Sequence, residues 1–114
     1  MKYMVQIYGN VTREQVAAMS DEERKELYAE WGAIRSAPGL TPGPELDDPA
    51  NAKTVRVENG KTLTTDGPFV ELKEAVNGYL IYEADDLDAA IELAARIPAA
   101  RLGGAIEVRP IMEY

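Results

Sequence analysis

Hydrophobic and polar positions alternate along three stretches of the chain. Met4 to Tyr8 alternates and stops at Gly9-Asn10, which predicts a first strand. Lys53-Thr54-Val55-Arg56-Val57-Glu58 alternates again, and Lys61 to Thr65 returns after Asn59-Gly60. Asn-Gly between two such runs predicts a two-residue hairpin turn. Ala105 to Met112 predicts a last strand, and Pro110 assigns part of it to an edge or bulge because proline donates no ladder bond. Gly78-Tyr79-Leu80-Ile81-Tyr82-Glu83-Ala84 is denser in apolar residues, as a central strand would be.

The helical period appears in between. Thr12 with Gln15, and Ser20 with Glu23, each fit a capping box. Val16 and Met19 follow the first as the apolar side of a short helix. After the second, Leu27, Trp31 and Ile34 fall at spacings of four and three, so they share one face, with Tyr28 beside it. The acids Asp21 to Glu23 suit the positive end of that helix. It should run to about Ser36, where Ala37-Pro38-Gly39 stops it. Leu87, Ala90, Ile91 and Ala94 predict the buried stripe of a second main helix, capped by Asp85 or Asp86 and ended by Pro98. Between the two halves, Pro38, Pro42, Pro44 and Pro49 leave only a loop or a poor edge strand.

The order strand, helix, hairpin, strand, helix, strand implies an α+β fold with helices on one face of an antiparallel sheet. The ferredoxin-like split βαβ arrangement is the nearest template. A length of 114 residues suits one domain, spanning 1–114. Two substantial helices cover one sheet face, and a second copy of the chain is the economical cover for the other. A homodimer is therefore expected on structural grounds.

Composition narrows the chemistry. Twelve basic against twenty acidic residues leave a net charge of −8, which argues against nucleic acid and against an anionic membrane surface. Without cysteine or histidine there is no disulfide, no thiolate nucleophile, no imidazole base and no Cys- or His-ligated metal. Asp47-Asp48 and Asp85-Asp86 lack the ligand spacing of an EF-hand and read as caps or turns, so no metal site is expected. Neither a G-x-G-x-x-G nor a Walker pattern occurs, and no cofactor is expected. The N-terminal apolar stretch is too short for a signal segment, and no run approaches the ~20 residues of a membrane span. A cytoplasmic location follows as the expectation.

What remains for catalysis is carboxylate, lysine, arginine, tyrosine or bound water. The segment Thr65-Asp66-Gly67-Pro68-Phe69-Val70-Glu71-Leu72-Lys73-Glu74 is the most unusual in the chain. Asp66 precedes Gly67, free to take geometries closed to other residues, and Pro68, which fixes the direction after it. Its carboxylate either bonds turn amides or is aimed into a cleft. Phe69, the one phenylalanine, is a candidate anchor. If the segment is extended, Glu71 and Lys73 share a face and Glu74 takes the other. Lys73 beside carboxylates either transfers protons or forms a solvated ion pair. Arg56 and Arg109 lie on predicted strands, where each faces solvent, pairs with a carboxylate or clamps an anion. Tyr8, Tyr79 and Tyr82 are strand tyrosines that either pack or offer a hydroxyl, and Tyr79 and Tyr82 face opposite sides. The candidate catalytic set is Asp66, Lys73 and Tyr79. The candidate ligand-binding set is Tyr8, Arg56, Phe69, Glu74 and Arg109.

The opening Met1-Lys2-Tyr3-Met4 with Ile7-Tyr8-Gly9, the Asp66-Gly67-Pro68-Phe69 segment, Gly78-Tyr79, the run Ala94 to Arg101 and the ending Ile106-Glu107-Val108-Arg109-Pro110 resemble the YCII-related family. The branch they resemble is known by the motif DGPF, or DGPFAETKE. Val70 stands where that motif has Ala and Leu72 where it has Thr, and the proline-rich stretch replaces a more regular strand. The resemblance implies a dimeric α+β barrel of ferredoxin-like subunits with a cleft between helix and sheet near the subunit interface. Its His and Asp pair cannot be carried over to a chain without histidine. A related branch dehalogenates a chlorinated hydroxyquinol by elimination, which shows what the fold can host. Some members are encoded near alternative sigma factors. Three functions are expected in turn: binding of a small molecule without turnover, lyase- or hydrolase-like acid/base chemistry on a small polar or aromatic compound, and a regulatory interaction in a transcription-related context.

Overall fold

Strand β1 (Lys2–Tyr8) lies inside a four-stranded antiparallel sheet, between β5 (Val76–Glu83) and β6 (Ala105–Pro110). A two-residue strand, β2 (Leu40–Thr41), pairs with the far side of β5, giving the order β2-β5-β1-β6. The computed structural model that shows this describes residues 1–9, 13–67 and 76–114. Each neighbour in the sheet is antiparallel. Consecutive strands on either side of a helix are therefore separated by a third, the split βαβ connection of a ferredoxin-like fold.

Alternation in β1 sorts its residues. Tyr3, Val5 and Ile7 are buried, while Met4, Gln6 and Tyr8 are half-buried on the opposite face. Val5 and Ile7 join Leu80, Ile34, Leu93, Ile97 and Ala99 in the main core, with Trp31, Leu40, Tyr82 and Ile106 packed around it. Each large apolar side chain so enclosed contributes roughly 1.5–3 kcal/mol. Tyr82 thus faces the helices while Tyr79, three residues earlier, lies opposite Gln6 on the other face.

Helix α1 (Arg13–Ala18) is short, and Thr12 of the first expected box lies outside the described residues. Helix α2 (Asp21–Arg35) starts with the expected capping box. The Glu23 amide donates to Ser20 Oγ at 3.2 Å and the Ser20 amide donates to the Glu23 carboxylate at 3.3 Å. Leu27 and Ile34 are buried and Trp31 packs against the core, as their spacing requires. Asp86 caps α3 (Leu87–Ala95) through the Ala89 amide. A short α4 (Pro98–Arg101) follows, tied to α2 by a bidentate ion pair from Arg101 to Glu30 at 2.6 and 2.8 Å.

The buried stripe of α3 differs from the sequence expectation. Ala90 and Ala94 are buried as expected, but Leu87 and Ile91 are 45% and 50% exposed. Leu93, 1% exposed, and Ile97 fill the core instead. The helix is apolar on most of its circumference, so two overlapping stripes compete. The one meeting β1 and β5 prevails.

The proline-rich stretch is a poor edge strand. Beyond β2, Glu45 forms an isolated bridge with Gly78, and the Leu46 amide donates to the Asn77 carbonyl at 2.7 Å. Asp48 then caps a single 3₁₀ turn, Pro49–Asn51.

Strands β3 (Lys53–Glu58) and β4 (Lys61–Asp66) form a separate two-stranded sheet. Asn59 and Gly60 take φ of 51° and 75°, the paired positive values of the hairpin turn that Asn-Gly favours. The hairpin stands away from the main sheet. The radius of gyration is 16.4 Å, against ~13 Å for a compact chain of this length, and the longest extent is 53 Å.

Candidate cleft at the edge of the sheet

The last turn of α2 brings Trp31 and Arg35 to one face, four residues apart. The Arg35 guanidinium lies over the indole, 5.8 Å from the ring centroid. These two residues, the edge segment Gly43 to Glu45 and the start of β5 enclose a cleft of about 150 Å³. Its floor is Ile7 and Leu80, and its polar groups are Arg35, Glu45, Asn77 and the main-chain carbonyl of Tyr79, which lies against Gly43. A volume near ~150 Å³ accommodates one six-membered ring.

Backbone packing shapes this cleft. A Cβ at Gly43 would lie 2.9 Å from the Tyr79 carbonyl carbon and 3.1 Å from Tyr79 Cδ2, and closer still to the carbonyl oxygen. Gly43 therefore lets the proline-rich segment press against β5 and form one wall. Arg35 makes no ion pair with a described residue, so its charge is available to the cleft.

A second polar group lies on the sheet face opposite the helices. The Tyr8 hydroxyl donates to Glu107 Oε2 at 2.8 Å, and Arg109 donates to Glu107 Oε1. Register explains the cluster, since Gln6 pairs with Glu107 and Met4 with Arg109. The hydrogen bond from Tyr8, followed by that from Arg109, holds the Glu107 carboxyl below its ordinary pKa. The same bond to Glu107 raises the Tyr8 phenol, reinforced by desolvation and by the negative charge beside it. Arg109 is thus engaged by a neighbouring carboxylate of its own strand.

Of the candidate catalytic residues, Tyr79 lines the cleft. Asp66 ends β4, where its exposed carboxylate is paired with Lys53 across the hairpin, and it is not among the cleft residues. Lys73 lies outside the described residues, as do Phe69 and Glu74 of the ligand-binding set. Tyr8 and Arg109 meet around Glu107, and Arg56 lies on the hairpin within 3.8 Å of Glu58. Sequence reasoning missed Arg35, Glu45 and Asn77. The spacing of Trp31 and Arg35 was the available signal, because a cation four residues after an aromatic shares its helical face. Glu45 and Asn77 had none, since only the edge pairing brings them together.

Fold and cleft together define a small α+β protein with a split βαβ sheet and a ring-sized cleft at its edge. Comparison with known proteins refines that class. The chain belongs to the YCII-related domain family, whose model matches residues 1–114. It is similar to an uncharacterized protein of Rhizobium meliloti (strain 1021), 31% identical over 119 residues that cover 100% of this chain and 94% of the relative. Among the described residues, no helix is long and apolar enough to cross a membrane.

Proposed function

We propose that the chain is a small-molecule-binding protein whose site is the cleft between α2 and the start of β5. The observation that carries this reading is Arg35, held over Trp31 beside the cavity without a carboxylate partner among the described residues. A guanidinium so placed suits a planar carboxylate, and the cavity volume suits one ring. Asn77 supplies a polar contact for ring substituents, and Glu45 disfavours a second negative charge on that side. Turnover is not required by this arrangement.

The reading includes a cytoplasmic homodimer. Met4, Gln6, Tyr8, Tyr79, Ile81, Glu107 and Arg109 lie outside the core of the single chain, on the face opposite the helices. Two such faces packed together form the α+β barrel and leave the cleft near the subunit boundary.

Trp31 is the only tryptophan, so its fluorescence reports directly on the cleft. Titration with benzoate should give a saturable change with Kd in about the millimolar range, the affinity expected of a one-ring ligand. Benzyl alcohol should bind at least tenfold more weakly, and Arg35→Ala should remove that preference, because a charged hydrogen bond contributes about 1.5–3 kcal/mol. Equal response to the acid and the alcohol, or an unaltered Arg35→Ala profile, would refute the site. Chromatography of the same samples tests for products.

A further inference from the structure

The β3–β4 hairpin carries more apolar surface than a solvated ribbon needs. Directly opposed residues share a face, so Val55 and Val57 stand with Thr62 and Thr64 on one side, flanked by the Lys53–Asp66 pair. Val55 is 60% exposed and Val57 67%. Leu63, 44% exposed, stands with Arg56 on the other side. A lone two-stranded ribbon in water is marginally stable, and exposed β-branched edges invite pairing. The chain also presents a matching feature elsewhere. Leu87, Ile91, Ala95 and Ala105 border an open apolar groove of about 450 Å³ between α3 and β6.

These two features lie toward opposite sides of the sheet. The hairpin is inserted between the edge strand β2 and its neighbour β5, whereas β6 is the other edge. A two-fold axis between two stacked sheets, parallel to their strands, places the β2 side of each copy over the β6 side of the other. The arm of each copy then meets the groove of its partner, as an isologous dimer requires.

Area supports the same arrangement. Six residues each of β1, β5 and β6, with the two residues of β2, span about 320 Å² in projection. That is about two fifths of the ~800 Å² per partner found in standard interfaces. One face of a six-residue, two-stranded arm adds about 190 Å². Given once and received once by each copy, it brings the total close to the standard size.

We propose that the β3–β4 hairpin is a dimer clasp, laying Val55 and Val57 of each copy into the Leu87–Ile91 groove of a second copy. This rests on the homodimer reading above and goes beyond it by assigning both the arm and its receiving surface. Because the chain has no cysteine, introduced pairs report cleanly. The double variant Val57→Cys, Ile91→Cys should oxidise to a covalent dimer, and neither single variant should do so as efficiently. Val55→Asp with Val57→Asp, on an exposed ribbon, should raise the dimer dissociation constant at least a hundredfold in native mass spectrometry while leaving helical circular dichroism intact. A wild-type dimer with unchanged dissociation in the Asp variant, or with no covalent dimer from the Cys pair, refutes the clasp alone. A monomeric wild-type chain refutes the homodimer and the clasp together.

Discussion

Replacing Gly43 with alanine tests whether the proline-rich segment rests on β5 as a wall of the cleft. The added Cβ would lie 2.9 Å from the Tyr79 carbonyl carbon. Carbon atoms in contact prefer about 3.5–4.0 Å, so segment and strand must separate by roughly 1 Å. Forcing such a shift inside a packed core costs about 1–3 kcal/mol. Here the segment is exposed, and the easier response is to lift away from the sheet. That loosens the Leu46–Asn77 hydrogen bond and the Glu45–Gly78 bridge. At about 1 kcal/mol for each hydrogen bond, the expected loss is about 1–2 kcal/mol.

Gly32→Ala provides a control of opposite sign. Gly32 lies inside α2, and a Cβ there meets nothing within 4 Å. Alanine should stabilise the helix by about 1 kcal/mol. In a chain of this size, each 1 kcal/mol moves the Tm by about 4–8 °C. Thermal unfolding followed by circular dichroism should therefore place Gly43→Ala below the wild type and Gly32→Ala above it. Trp31 emission should change in Gly43→Ala, because the indole shares the cleft with that segment. Unchanged Tm and emission in Gly43→Ala would refute the close approach of segment and strand. A shift of both variants in the same direction would refute the reasoning from local space.

Leu93→Ala should cost about 2–5 kcal/mol, the usual penalty for a truncated core leucine, and chemical denaturation measures it. Glu107 and Tyr8 should limit stability at opposite ends of the pH scale. The depressed Glu107 contribution is present above the ordinary carboxyl pKa and is lost as pH falls through its folded value. The raised Tyr8 contribution is present below the ordinary phenol pKa and is lost as pH rises through its folded value. Glu107→Gln should flatten the acid limb and lower the Tyr8 titration in ultraviolet absorbance, and an unchanged phenol titration would contradict the assigned pair.

The elements that local chemistry specifies were legible. Ser20 and Glu23 lie three residues apart, and their box needs no tertiary partner. Asn59-Gly60 specifies its turn through backbone preference alone, and the hairpin register follows from it. The apolar density of Leu80 and Ile81 marked β5 as internal, and it lies between β1 and β2. The α3 stripe was not legible, because Leu87, Ile91, Leu93 and Ile97 satisfy two helical faces and only the docked sheet chooses between them. The cleft was less legible still. Trp31 and Arg35 share a helix, but Glu45 reaches them only through its bridge to Gly78, and no local pattern encodes that pairing.

The inserted hairpin sharpens the question of what the chain asks of a second copy. Lengthening a connection costs little, since closure entropy grows only with the logarithm of loop length. The split βαβ frame would therefore tolerate a plain polar loop between β2 and β5. The chain instead supplies two complete strands, an Asn-Gly turn and three exposed aliphatic side chains. Among the described residues, none of these belongs to either core cluster. On the clasp reading, their energetic return comes from a second copy of the chain. Upstream of the hairpin in the same insertion, Glu45 and Leu46 pair with the start of β5 at Gly78 and Asn77, next to Gly43 and the cleft. A clasped arm would hold that segment, and with it the cleft wall, through the chain that joins them. If the arm is clasped by a second copy, ligand affinity at Trp31 should rise with protein concentration across the monomer–dimer transition, and the Val55→Asp, Val57→Asp variant should lose that dependence.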